Sequence, residues 1–147
     1  MKKILLIIFL SLSFNTFCFA ADVKMKMEEF PKEQVQNQKV EVTKMMAKAL
    51  AKDLPQKVDA YTMLRNIKSQ GSTLVYTFEI DTGVKTDETV IKQDHSRMQR
   101  AVTRGVCESS SKLLRAGINT TYIYISAKTK KTLFRFDITQ SRCIGLK

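Results

Sequence analysis

The chain has 147 residues, and its 25 Lys and Arg outnumber its 14 Asp and Glu to give a formal net charge of +11. That length suits a single domain with a real core, and five scattered glycines leave no phosphate-cradling loop. One histidine and three cysteines are too few for the usual zinc or copper ligand sets once the leader described next is removed.

Lys2 and Lys3 precede the uninterrupted apolar run Ile4 to Leu10, and Cys18-Phe19-Ala20 offers a small-x-small site. This pattern predicts a secretory signal peptide, residues 1–20, cleaved after Ala20. Its apolar run is too short for a bilayer core of ~30 Å, and no later segment approaches the ~18 apolar residues of a membrane helix. Loss of Lys2 and Lys3 still leaves a strongly basic chain. The expected location is periplasmic, where basicity favours an acidic protein or peripheral contact with an anionic envelope surface rather than nucleic acid. Cys18 follows Asn15-Thr16-Phe17, and the bulky aromatic argues against lipid attachment. Cys107 and Cys143 are then the remaining thiols, and in an oxidising compartment they read as a disulfide, weighed against free thiols or an intermolecular pair.

Residues 21–38 are polar, interrupted by Pro31, and are expected to be flexible at their start. Helical spacing runs from about Lys32 to Leu54, with Val35, Val42, Met45, Met46, Ala49 and Leu50 on one face and Lys44, Lys48 and Lys52 on the other. Pro55 stops it. Lys57 to Ser69 reads as a strand, Gln70-Gly71-Ser72 as a turn, and Leu74 to Ile80 as a strand that alternates cleanly, so the pair predicts an antiparallel hairpin. Asp87 to Val106 returns to helical spacing through Ile91, Met98, Ala101, Val102 and Val106, with Arg97, Arg100 and Arg104 about 120° away. A short helical turn, Ser109 to Arg115, ends at Gly117. Tyr122 and Tyr124 mark one side of a third strand, and Phe134, Phe136 and Ile138 one side of a fourth that ends at Cys143. The expected fold is α+β, a two-layer sandwich of order α-β-β-α-β-β. A four-stranded antiparallel sheet carries helices on one face and one disulfide, within a single domain of residues 39–147.

No catalytic cluster emerges, so no enzyme, metal or cofactor is expected. His95 and its neighbour Asp94 diverge by about 100° on a helix, against a Ser-His-Asp triad. Ser109-Ser110-Ser111-Lys112 has S-x-x-K spacing without the companion motifs of penicillin-recognising enzymes. Glu79/Asp81 and Asp87/Glu88 read as strand-end and helix-start charge. The remaining candidates bind. Arg97, Arg100 and Arg104 form a basic ridge suited to bidentate contacts with carboxylates or phosphates, and Lys44, Lys48 and Lys52 form a weaker one.

Tyr61-x-Met63-Leu64-Arg65 leads into the strand Leu74 to Ile80. Val106-Cys107 precedes Leu113-Leu114-Arg115-Ala116-Gly117-Ile118, and Tyr122-Ile123-Tyr124 precedes the closing Ile138-Thr139-Gln140-Ser141-Arg142-Cys143. From about Leu50 to Cys143 this arrangement resembles the small periplasmic α/β proteins typified by the β-variant pilotins of type II secretion systems. The resemblance implies the same helix-hairpin-helix-hairpin order and a Cys pair joining the second helix to the C-terminus. Pilotins are typically lipoproteins that escort a secretin subunit, and the Phe17-Cys18 junction departs from that pattern. The expected function is a non-catalytic, protein-binding accessory of a secretion or pilus assembly. The alternative is a periplasmic immunity protein that neutralises a toxin.

Overall fold

The computed structural model describes residues 31–144. The signal peptide, its cleavage site, Cys18 and the segment before Pro31 lie outside the described residues. Helix α1, Lys32–Leu50, is extended by a 3₁₀ turn at Ala51–Asp53 and followed by strands β1, Gln56–Lys57, β2, Thr62–Gln70, and β3, Thr73–Ile80. Helix α2, Asp87–Ser109, and the short α3, Ser111–Arg115, lead to β4, Asn119–Ser126, and β5, Thr132–Ile138, and a 3₁₀ turn spans Gln140–Cys143.

The sheet has five strands in the order β1-β2-β3-β4-β5, and it is mixed. β1–β2, β2–β3 and β4–β5 are antiparallel, but β3 and β4 run parallel from Thr73↔Asn119 to Ile80↔Ser126. This corrects the expected four-stranded antiparallel sheet in two ways. α2 carries the chain back along the sheet, so β4 starts beside the start of β3, and a helical crossover of this kind makes neighbouring strands parallel. The single strand expected over Lys57 to Ser69 is two: Val58 to Tyr61 form a turn in which the Tyr61 N–H donates to Asp59 Oδ1 at 2.8 Å. The fourth main strand also stops at Ile138, before Cys143.

Period-2 alternation sends Leu74, Tyr76, Phe78 and Ile80 to one face of β3, and the register brings Tyr122 and Tyr124 of β4 and Phe134, Phe136 and Ile138 of β5 to the same face. Both long helices contribute to the core on that face, α1 through Ala47 and Met46, α2 through Val90, Met98 and Val102. The buried residues of α1 are Thr43 and Ala47, whereas Val35, Val42, Met45 and Leu50 of the expected apolar face are exposed. Small side chains at Thr43 and Ala47 let the helix backbone settle close to β2. The Thr43 hydroxyl is satisfied by the Lys39 carbonyl at 2.7 Å, which removes the cost of burying it.

Thr86 caps α2, its side chain accepting from the Thr89 N–H, and Asp87 and Glu88 complement the helix dipole in the first turn. His95 lies against Phe134 and Phe136, with ring centroids 6.0 and 5.5 Å away. A second core cluster of Val106, Leu114 and Ile138 packs beside the Cys107–Cys143 disulfide, whose Cα atoms are 5.5 Å apart. Gly117, at φ +80°, admits the Lys39 side chain over the start of β4, since a Cβ there would stand 2.7 Å from Nζ. No helix among the described residues is long and apolar enough to cross a membrane.

Candidate functional site

α1 packs on β2 and β3, and α2 packs on β5 and the C-terminal turn. The centre of the sheet face, β3 and β4, is therefore shared between two helices that lie over opposite sides of it. Aromatic side chains fill this centre. Tyr76 stacks on Tyr122 with centroids 5.0 Å apart, Tyr122 on Phe78 at 5.6 Å, and Phe78 on Tyr124 at 4.9 Å. The parallel register produces this ladder by placing Tyr76 beside Tyr122 and Phe78 beside Tyr124.

At one end the ladder opens into a cavity of about 400 Å³. Thr62, Phe78, Ile80, Tyr124 and Phe134 line it from the sheet, Val90, Asp94, Arg97 and Met98 from α2, and Val58, Asp59 and Tyr61 from the β1–β2 turn. The turn side chains are open to solvent, Val58 being 54% and Tyr61 68% exposed. An apolar lining with a few charged groups suits a side chain or short segment of another molecule.

Burial pushes the Tyr124 phenol up to about 12, with the Asp59 charge adding to the effect. Burial also raises Tyr122 and Tyr76. The ladder thus presents neutral phenols at physiological pH. The Asp59 carboxyl is held below its ordinary value chiefly by the backbone N–H of Tyr61. Arg97 Nη2 lies 2.7 Å from Asp94 Oδ1, which matches these two charges and leaves the Asp59 carboxylate outside any ion pair among the described residues. None of these groups forms a nucleophile–base pair. Among the described residues no trio of His, Cys, Asp or Glu is placed to hold a metal.

The basic residues read from the sequence fall in different surroundings. Arg97, Arg100 and Arg104 are all exposed along α2. Arg97 lines the cavity, but Arg100 and Arg104 line a separate depression with Arg142. Lys44, Lys48 and Lys52 are exposed, and Lys44 stands 3.9 Å from Glu41 in an i,i+3 pair of the kind worth little in water. Cys107 and Cys143 are bonded to each other. Sequence reasoning missed Val58 and Tyr61 because the turn containing them was absorbed into a strand. Asp59 was the available turn signal, since an Asp side chain readily accepts from the backbone N–H two residues on. It also missed Arg142, which the packing of β5 and the C-terminal turn on α2, together with the disulfide, brings beside Arg100 and Arg104.

Comparison of the sequence with family models and with curated proteins finds no match. Comparison of the fold does. A Pseudomonas aeruginosa protein assigned as secreted superposes with a TM-score of 0.65 at 14% identity, over 74% of this chain and 96% of that one. The pilotin of the Vibrio vulnificus type II secretion system gives a TM-score of 0.57 at 15% identity, covering 76% of this chain and 96% of its own. A type II secretion pilotin from Vibrio cholerae gives 0.58 at 18%, covering 76% and 98%. The chain therefore shares the fold of type II secretion pilotins, an α+β arrangement built on a mixed five-stranded sheet.

Proposed function

We propose that this protein is a non-catalytic accessory of the cell envelope, located in the periplasm, that binds a segment of a protein partner from a secretion or pilus assembly. The observation that carries the reading is the cavity at the end of the aromatic ladder, where an apolar lining opens between α2 and the exposed turn residues Val58 and Tyr61. The likeness of fold to pilotins supports the same class of partner. Exposed Val35, Val42 and Met45 on α1 add uncovered apolar surface. Arg97 gives Nε and Nη2 to Asp94, and the Nη1 of this exposed side chain is left to donate to an acidic residue of the partner. Arg100, Arg104 and the lysines of α1 contribute to the positive field that accelerates encounter.

Site-specific photo-crosslinking in the envelope tests this. A crosslinker at Tyr61 should capture a secretin or pilus component, and one at Lys68, on the opposite sheet face, should not. Equal adducts from both positions, or none from Tyr61 together with turnover of a cell-wall substrate, would overturn the proposal.

A further inference from the structure

The depression shared by Arg100, Arg104 and Arg142 has a volume of about 250 Å³, and Gln99 and Thr103 complete its lining. No carboxylate among the described residues lines it. Among the described residues none of these arginines takes part in an ion pair. Asp137, on which the charge of Arg142 acts, is already held by Arg135 through contacts of 3.1 and 2.9 Å. Arg100 and Arg104 are one helical turn apart and repel each other, and Arg142 adds a third like charge. The disulfide maintains this arrangement, because it ties Cys143, next to Arg142, to Cys107 on α2.

Arg104 also lines a second cavity of about 360 Å³, walled by Cys107, Leu114, Cys143 and Ile144. Glu108 and Arg115 also line it, and Ile144 is 79% exposed. A cup of guanidinium groups outside any ion pair thus adjoins a largely apolar hollow, and Arg104 belongs to both. The ligand that complements this pair carries an anion and hydrocarbon a few ångströms apart. Guanidinium forks match the oxygens of phosphate in bidentate contacts.

We infer that the disulfide corner binds the headgroup of an anionic phospholipid, with the phosphate on Arg100, Arg104 and Arg142 and the ester-linked hydrocarbon against Leu114, Ile144 and the disulfide. An acidic segment of a protein would satisfy the cations but leave the apolar hollow unfilled. The site is separate from the cavity at Tyr61, and its consequence is peripheral attachment to a membrane surface.

Flotation of the full exported protein with vesicles tests the inference, comparing phosphatidylcholine alone with phosphatidylcholine containing phosphatidylglycerol. The protein should float only with the anionic vesicles. R100Q/R104Q/R142Q should weaken binding by at least about tenfold, given the attraction of each basic group to an anionic surface. K44Q/K48Q/K52Q removes the same charge and should weaken it by much less. Ile144→Asp should weaken it with the melting temperature unchanged, whereas Tyr61→Asp should leave it intact. Equal losses in the two triple variants, or equal flotation with both vesicles, would overturn the site. So would competition by millimolar inorganic phosphate as effective as that by the vesicles. Arginine-dependent retention of a poly-glutamate peptide without vesicle binding would assign the cup to an acidic protein instead.

Discussion

Tyr76 and Tyr122 stack face to face across the parallel β3–β4 pair, their ring centroids 5.0 Å apart and their planes inclined by 19°. Neither residue is near the other in sequence. Their meeting depends on the helical crossover that brings β4 alongside β3 in the same direction, and it places phenol rings in the centre of the helix-covered face.

The chain has no tryptophan and four tyrosines, so tyrosine absorbance reports largely on this ladder. Burial raises Tyr76, Tyr122 and Tyr124 above the ordinary value of 10.0. Above that pH the unfolded chain loses phenolic protons that the folded chain keeps, so stability should fall as pH rises beyond about 10. Melting temperatures between pH 9 and 11 should decline less steeply for Tyr122→Phe than for the parent. Identical slopes would mean that the phenols are not shielded from water.

The placement of α1 is checked by contrasting two substitutions. Ala47→Leu overfills the contact with β2 and should cost about 1–3 kcal/mol. Val42→Ser changes an exposed position and should stay within about 0.5 kcal/mol. Denaturant unfolding measures both, and a large loss for Val42→Ser would mean that the helix is rotated from the orientation described.

Cys107→Ser removes a bridge closing a loop of sequence separation 36. The chain-entropy argument gives a loss of about 4 kcal/mol, less if the bonded state is strained. The partner thiol should become reactive. Labelling of the parent protein without reductant would show that the bridge is open.

On the other face of the sheet, Glu79 is held by Lys130 and Arg65, each at 2.7 Å. These hydrogen bonds, that of Lys130 first, keep its carboxyl below the ordinary 4.5. A lowered carboxyl stabilises the fold above its unfolded value and loses that contribution as pH falls through the folded value. Glu79→Gln should therefore destabilise the protein at neutral pH and flatten its decline below about pH 4.5, as followed by thermal melts. An unchanged acid profile would assign the decline to other carboxylates, such as Asp137.

Arg97→Gln separates binding from folding. The side chain is 70% exposed, so its pair with Asp94 adds little to stability and the melting temperature should shift hardly at all. Association with the crosslinked partner should slow, most clearly at low salt. An unchanged association rate would remove Arg97 from the interface.

Features set by neighbours along the chain were legible in the sequence. Met98, Val102 and Val106 recur at helical spacing and meet the core, whereas Ile91 and Ala101 of the same expected stripe are exposed. The alternation from Leu74 to Ile80 marks its strand and the buried face, because side chains on a strand must alternate. Two remaining cysteines allow only one intrachain pairing. The apolar stripe of α1 misled because burial there follows how closely a helix approaches β2, and at Thr43 and Ala47 small size matters more than hydropathy. Tertiary structure alone decided the rest. The direction of β4 depends on where α2 returns the chain, the aromatic ladder depends on that direction, and the cavity needs residues from the β1–β2 turn, α2 and four strands. Likewise, Arg97 lines the cavity while Arg100 and Arg104 join Arg142, although helical periodicity groups all three arginines together. Local spacing specifies which way a side chain points from its own element, but what it meets there is fixed by the long-range packing of the others.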